Sequence, residues 1–221
     1  MTQEELDNLL NEHQKWLEDR SKGKKLELRN LNLKSFHLAD RKLYLIVLEN
    51  IDLSQSNCSK TSFSSGHLRN IKFCGANLDN SDFSDVDMED IDFSNSKMKE
   101  IQIHSLNNAE RLTFDNAEME KAFFVKSTVR NSSFKNALLK EANFKRAFIR
   151  NCSFENANVS GADFSYTYLV DVDVKGTKID DAHFSDAREL PEEWKQTIGW
   201  YSEEQQNIRR IKEMLREEGL R

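Results

Sequence analysis

A large apolar residue returns at every fifth position along most of this chain: Leu28, Leu33, Leu38, Leu43, Leu48 and Leu53, then, past Cys58, Phe63, Leu68, Phe73, Leu78, Phe83, Met88, Phe93, Met98 and Ile103. One residue out of step, the series resumes as Phe114, Met119, Phe124, Val129, Phe134, Leu139, Phe144, Ile149, Phe154, Val159, Phe164, Leu169, Val174, Ile179 and Phe184. A period of five belongs neither to an α-helix nor to a flat strand, whose side chains repeat at about 3.6 and 2.0 residues. The chain needs another geometry.

Two residues before most of these centres stands a small side chain, as at Ala76, Ser81, Ala117, Ala122, Ala137, Ala142, Ala157 and Ala162. The small residue, its successor and the centre then point in, out and in, as a short extended segment requires. The next two residues are both polar, so the chain bends there. The second bend position holds Asn50, Asn70, Gly75, Asn80, Asp85, Asn95, Asn116, Asn136, Asn156, Gly161 and Gly176, residue types that turns favour. Successive coils built this way stack in parallel at about 4.8 Å, so that like residues form columns.

Ala76-Asn77-Leu78, Ala142-Asn143-Phe144, Ala157-Asn158-Val159 and Ala162-Asp163-Phe164 resemble the A-[DN]-L-x-x motif of the pentapeptide-repeat family, and the resemblance covers roughly residues 26–187. It implies an all-β solenoid: a right-handed quadrilateral parallel β-helix of about eight coils and a rod about 40 Å long. Bacterial origin is a further implication.

Helical sequence stands at both ends of the repeats. Thr2 and Glu5 form a capping box, and Leu6, Leu9, Leu10, His13, Trp16 and Leu17 share one helical face, which predicts a helix over residues 1–22 lying across the first coil. The repeats are expected over 23–187 and a helical segment over 188–221. In that segment Trp194, Ile198, Trp200 and Tyr201 form an apolar cluster, and a helix opening at Ser202 and Gln205 runs through Ile208, Ile211 and Leu215 to Gly219. It caps the rod, covers exposed aromatics on its side, or joins two chains, so monomer and homodimer both stay open. The step between Ile103 and Phe114 adds one residue, which predicts a bulge or small loop within 104–111.

Composition narrows the function classes. Lys and Arg number 32 against 38 Asp and Glu, a net charge of −6, which argues against a protein that coats nucleic acid. No apolar run approaches the roughly 20 residues that cross a bilayer, and the N-terminus is acidic; a soluble cytoplasmic protein with no membrane partner is expected. Cys58, Cys74 and Cys152 match neither a disulfide framework nor a zinc site. The five histidines are dispersed, no nucleophile or phosphate-binding motif is present, and a rod filled by side chains offers no depression. The reading is of a non-enzyme without metal or cofactor.

Stacking residues twenty apart brings out the surface. The position after the centre reads Arg29, Glu49, Arg69, Glu89, a ladder of opposite charges; beyond the added residue it becomes Arg130 above Arg150, and on the neighbouring face Lys126 stands above Arg146. Like charges directly opposed destabilise a sheet, which points to a role other than stability. Phe123, Val125, Leu138, Phe148, Tyr168 and Val170 occupy outward slots nearby. Lys126, Arg130, Arg146, Phe148, Arg150 and Tyr168 form the candidate site for an unidentified protein partner, since Arg and aromatics dominate interface energetics. A second candidate is the acidic stretch Asp79, Asp82, Asp85, Asp87, Glu89, Asp90 and Asp92. Some members of the resembled family imitate B-form DNA and bind DNA gyrase, protecting it from quinolones or toxins. That resemblance makes DNA gyrase or another topoisomerase the alternative partner.

Overall fold

The computed structural model describes residues 1–199. Eight strands, β1 (Glu27–Asn32), β2 (Val47–Asp52), β3 (His67–Lys72), β4 (Asp87–Asp92), β5 (Ala109–Thr113), β6 (Thr128–Arg130), β7 (Phe148–Arg150) and β8 (Tyr168–Val170), stack in sequence order on one face of a solenoid. Every pairing is parallel, with Leu28 against Leu48 and Leu48 against Leu68, a shift of one whole coil. Isolated parallel bridges such as Asn57 to Asn77 and Ser62 to Asp82 repeat the stacking on the remaining faces. The result is the expected parallel β-solenoid.

The corners explain the five-residue motif. At each corner the second residue after the centre has a positive φ, as at Asn50 (55°), Asn116 (59°) and Gly161 (70°). On most faces the N–H of the following residue donates to the carbonyl of the centre, as from Ala117 to Phe114 at 3.1 Å, which makes a type II turn. The Asn or Asp of the motif points outward and ties down the same corner. Its Oδ1 accepts the backbone N–H two residues on, as from Ser84 to Asp82 at 2.9 Å and from Lys145 to Asn143 at 3.0 Å. One short side chain thus fixes a bend that the backbone alone would leave open.

The interior is a set of columns. Phe73, Phe93, Phe114, Phe134 and Phe154 stack in one, and Phe124, Phe144, Phe164 and Phe184 in another, with neighbouring rings of a column 4.6 to 5.4 Å apart and nearly parallel. Rings of the two columns meet edge to face at 5.8 to 6.3 Å, an arrangement the aromatic quadrupole favours. Buried hydroxyls at the small position are satisfied by carbonyls: Ser81 Oγ donates to Leu78 O and Ser96 Oγ to Phe93 O, both at 2.6 Å. Burial pushes the Cys58 thiol up to about 12 and the Cys152 thiol up to about 11. We therefore expect a thiol reagent at neutral pH to label Cys74 readily, and Cys58 and Cys152 only after denaturant is added; mass spectrometry of the labelled peptides checks this.

At the N-terminal end α1 (Gln3–Glu18) carries the expected capping box: Glu5 N–H donates to Thr2 Oγ1 at 3.2 Å and Thr2 N–H to Glu5 Oε2 at 2.8 Å. It lies against the first coil. Gln3 exchanges two hydrogen bonds of 3.0 Å with the His37 backbone, and Asp7 pairs with Arg41 at 2.8 Å. Past the helix the chain turns back against it at Gly23, where a Cβ would stand 2.1 Å from Glu12 O and φ is +66°, so no other residue fits there. At the far end α2 (Glu192–Thr197) seats Trp194 on Phe164 and Phe184, both at 5.2 Å. The helix expected beyond Ser202 lies outside the described residues.

The extra residue falls at Asn107–Asn108. Val86 and Met88 line the interior on one coil and Leu106 and Ala109 on the next, with Met88 registered on Ala109, so the large residue has moved to the small slot and a two-residue bulge separates them. Among the described residues no helix is long and apolar enough to cross a membrane, and no group of His, Cys, Asp and Glu is placed to hold a metal ion.

Candidate functional site

The sheet face carrying β1 to β8 has two unlike halves. In the N-terminal half the charge ladder closes into ion pairs, Arg29 with Glu49 and Arg69 with Glu89 at 3.3 Å, and the His67 ring lies beside Asp87 at 3.1 Å. Directly after the bulge Arg111 gathers Glu89, Asp90 (2.6 Å) and Glu110 (3.0 Å), and its guanidinium holds the Asp90 carboxyl below the ordinary carboxylate range. The expectation of a rod without depressions needs correction. A shallow hollow of about 260 Å³ lies over His67, Arg69, Asp87, Glu89 and Asn108, where the bulge breaks the smooth stacking, and its charged groups are already paired.

In the C-terminal half the pattern reverses. Arg130 registers directly on Arg150, and Phe148 on Tyr168, which in turn bridges to Arg188. Arg130 lies over the Phe148 ring at 5.9 Å, Arg188 over Tyr168 at 5.3 Å with its Nη1 donating to Tyr168 Oη at 2.7 Å, and Arg146 over Tyr166 at 5.8 Å. Lys126 and Arg146, read from the sequence as lying on the neighbouring face, occupy the corner that leads from it into this one. Among the described residues Lys126, Arg130, Arg146, Arg150 and Arg188 make no ion pair, whereas Lys121 and Lys135 of the same basic band pair with Glu141 and Glu155. Tyr166 is 47% exposed and Tyr168 38%. Arg130, Phe148, Arg150 and Tyr168 thus share one face and Lys126 and Arg146 the corner that leads into it, joined by Tyr166 and Arg188, which sequence reasoning missed although both continue the twenty-residue columns of Arg146 and Tyr168.

Other expectations divide. Phe123 registers with Gln102 and Asn143, and Leu138 with Glu118 and Asn158, so these two lie on other faces and do not extend the patch. Trp194 does not fold back over Phe148 and Tyr168; it is buried end-on against the phenylalanine columns because the last coil would otherwise leave Phe184 bare. Trp200 and Tyr201 lie outside the described residues. The acidic stretch is a ring around one coil, not a patch. Asp82 accepts from Ser62 and Ser84, Asp79 from Lys99 N–H, Asp92 from Ser94 N–H, Asp87 lies against the His67 ring, and Glu89 and Asp90 are ion-paired. Only Asp85 among the seven is given no such partner within the described residues.

Family models for pentapeptide repeats match this chain twice, a pentapeptide repeat region over residues 127–188 and eight pentapeptide repeats over 56–95. Among solved structures the chain is similar to HetL, a pentapeptide repeat protein involved in heterocyst differentiation regulation from the cyanobacterium Nostoc sp. strain PCC 7120, at 18% identity and a TM-score of 0.69, covering 74% of this chain and 76% of that one. It also matches Rfr23 from the cyanobacterium Cyanothece 51142 (16% identity, TM-score 0.36, 79% and 99% covered) and trypsin-treated QnrB1, a plasmid-mediated fluoroquinolone resistance protein (14% identity, TM-score 0.34, 73% and 90% covered). No curated protein matches the sequence. With those models falling on both sides of the bulge, and the in, out, in segment and left-handed corner repeating from rung to rung between them, the chain carries pentapeptide repeats in both halves of the solenoid.

Proposed function

We propose that this protein is a non-catalytic, cytoplasmic interaction scaffold that binds a partner protein through the C-terminal half of the β1 to β8 face, with Lys126, Arg130, Arg146, Phe148, Arg150 and Tyr168 as the contact residues. The observation that carries this reading is the direct stacking of Arg130 on Arg150. On the same face, the N-terminal half spends its charges on ion pairs, so the departure is local. Like charges opposed across a ladder destabilise it, and half-exposed aromatics beside arginines that make no ion pair among the described residues are the composition of interface centres. In a pull-down from the source cells, the double variant Arg130→Glu/Arg150→Glu is expected to lose the specific partner that the unaltered chain retains. Retention of every partner by the folded variant would end this reading.

The second reading is a DNA-mimic binder of DNA gyrase or another topoisomerase. The acidic coil from Asp79 to Asp92 favours it, but ion pairs and turn hydrogen bonds engage most of that coil. No change in gyrase supercoiling at micromolar protein would remove it.

A further inference from the structure

Resting on that reading, we infer that the face recognises a short, extended, acidic segment of its partner, laid along the rod axis. Three features set the chemistry. First, Lys126 with Arg130 and Arg146 with Arg150 present four cations on two adjacent rungs and Arg188 a fifth two rungs further on, and four of the five carry the planar guanidinium fork that matches a carboxylate. Second, aromatic rings hold three of those forks in place: Arg130 over Phe148, Arg146 over Tyr166 and Arg188 over Tyr168. Guanidiniums already lying on rings lose less freedom when a carboxylate arrives.

Third, the site has ends. From the Arg130 rung to the Arg188 rung there are three coil steps, about 14 Å at the strand spacing, which is about four or five residues of extended chain. On the N-terminal side the same face turns acidic, with Glu110, Glu89 and Asp90 clustered around Arg111. A polyanion running on past β6 would meet those carboxylates. A long nucleic acid is therefore disfavoured, and its usual stacking platforms are also taken, since Phe148, Tyr166 and Tyr168 each have a guanidinium over the ring. A short acidic peptide meets neither obstacle.

The test uses the full chain and a fluorescein-labelled pentapeptide of glutamates with one central phenylalanine. Its controls are the same peptide with glutamine for glutamate and a labelled ten-nucleotide oligothymidine. Fluorescence anisotropy is expected to show saturable binding of the glutamate peptide that weakens as salt rises, with at least tenfold weaker binding by the glutamine peptide and the oligonucleotide. Arg130→Glu/Arg150→Glu should lose at least tenfold in affinity for the glutamate peptide. Lys97→Glu, on another face, should lose less than twofold. Circular dichroism melts confirm that each variant is folded. No saturable binding of the glutamate peptide, equal binding by the double variant, or tighter binding of the oligonucleotide would overturn the inference. The pull-down then separates the two failures: a partner lost on charge reversal leaves the interaction face standing without an acidic ligand, and a partner kept removes both.

Discussion

Phe134→Ala is expected to cost the rod about 3–5 kcal/mol, measured as the fall in unfolding free energy in urea followed by circular dichroism. Phe134 is fully buried between the parallel rings of Phe114 at 4.7 Å and Phe154 at 4.6 Å, with the edges of Phe124 and Phe144 against it at 5.8 and 6.3 Å. The cost falls at the upper end of core truncations because the gap cannot close. The rungs on either side are held apart by their own ladder, Phe114 N–H to Ser133 O at 2.7 Å and Phe134 N–H to Ser153 O at 2.7 Å, so the columns cannot slide together without breaking hydrogen bonds around the whole coil. A loss below about 1 kcal/mol would mean that the coils collapse into the space and that the columns are not close-packed.

His13→Ala is expected to cost about 2–4 kcal/mol, because it leaves the buried Leu26 N–H and the part-buried Tyr44 carbonyl without partners at once. The ring is fully buried; Leu26 N–H donates to Nδ1 at 3.1 Å, so the proton sits on Nε2 and is donated to Tyr44 O at 3.1 Å. The imidazole is thereby fixed as one neutral tautomer that staples α1 to the first coil. Burial lowers its pKa below the ordinary histidine value, only partly offset by the Tyr44 carbonyl, and the nearby Lys25 charge lowers it further; Trp16 stacks on the ring at 5.7 Å and adds no charge. The sign follows. The unfolded chain takes up a proton near pH 6.5 while the folded one resists, so this contribution is whole above about pH 6.5 and drains away as pH falls through the lowered folded value. Melting temperatures should fall from pH 7.5 to pH 5 in the unaltered chain, and this slope should be absent in His13→Ala. The lowered carboxyls of Asp52 and Asp90 act in a separate, more acid window below the ordinary carboxylate range.

Much of the fold is written in single residues. The centre and small positions can be placed from the sequence because each column demands one class of side chain, and the corner Asn, Asp and Gly mark the left-handed backbone. Less legible are the corners occupied by Leu45, Arg111, Arg146 and Tyr166, which have positive φ with no compositional signal; there the ladders above and below impose the conformation and override local preference. The bulge is visible as a lost register but not its outcome, the exchange of large and small slots at Leu106 and Ala109. The candidate site is legible only in part. Register alone places Arg130 on Arg150 and Phe148 on Tyr168, whereas Arg188 requires knowing that one more rung follows β8. The acidic stretch misleads because a run of carboxylates in sequence is wound around a coil in space.

The interaction face rests on the claim that Arg130 and Arg150 are stacked at the expense of stability, and the urea midpoint of Arg150→Glu tests this with no knowledge of the partner. A glutamate there would face Arg130 as Glu49 faces Arg29, so the variant should be more stable than the unaltered chain by about 0.5–1 kcal/mol. A variant less stable than the unaltered chain would show that the two arginines hold the fold together, and the case for a binding surface built on their stacking would fall.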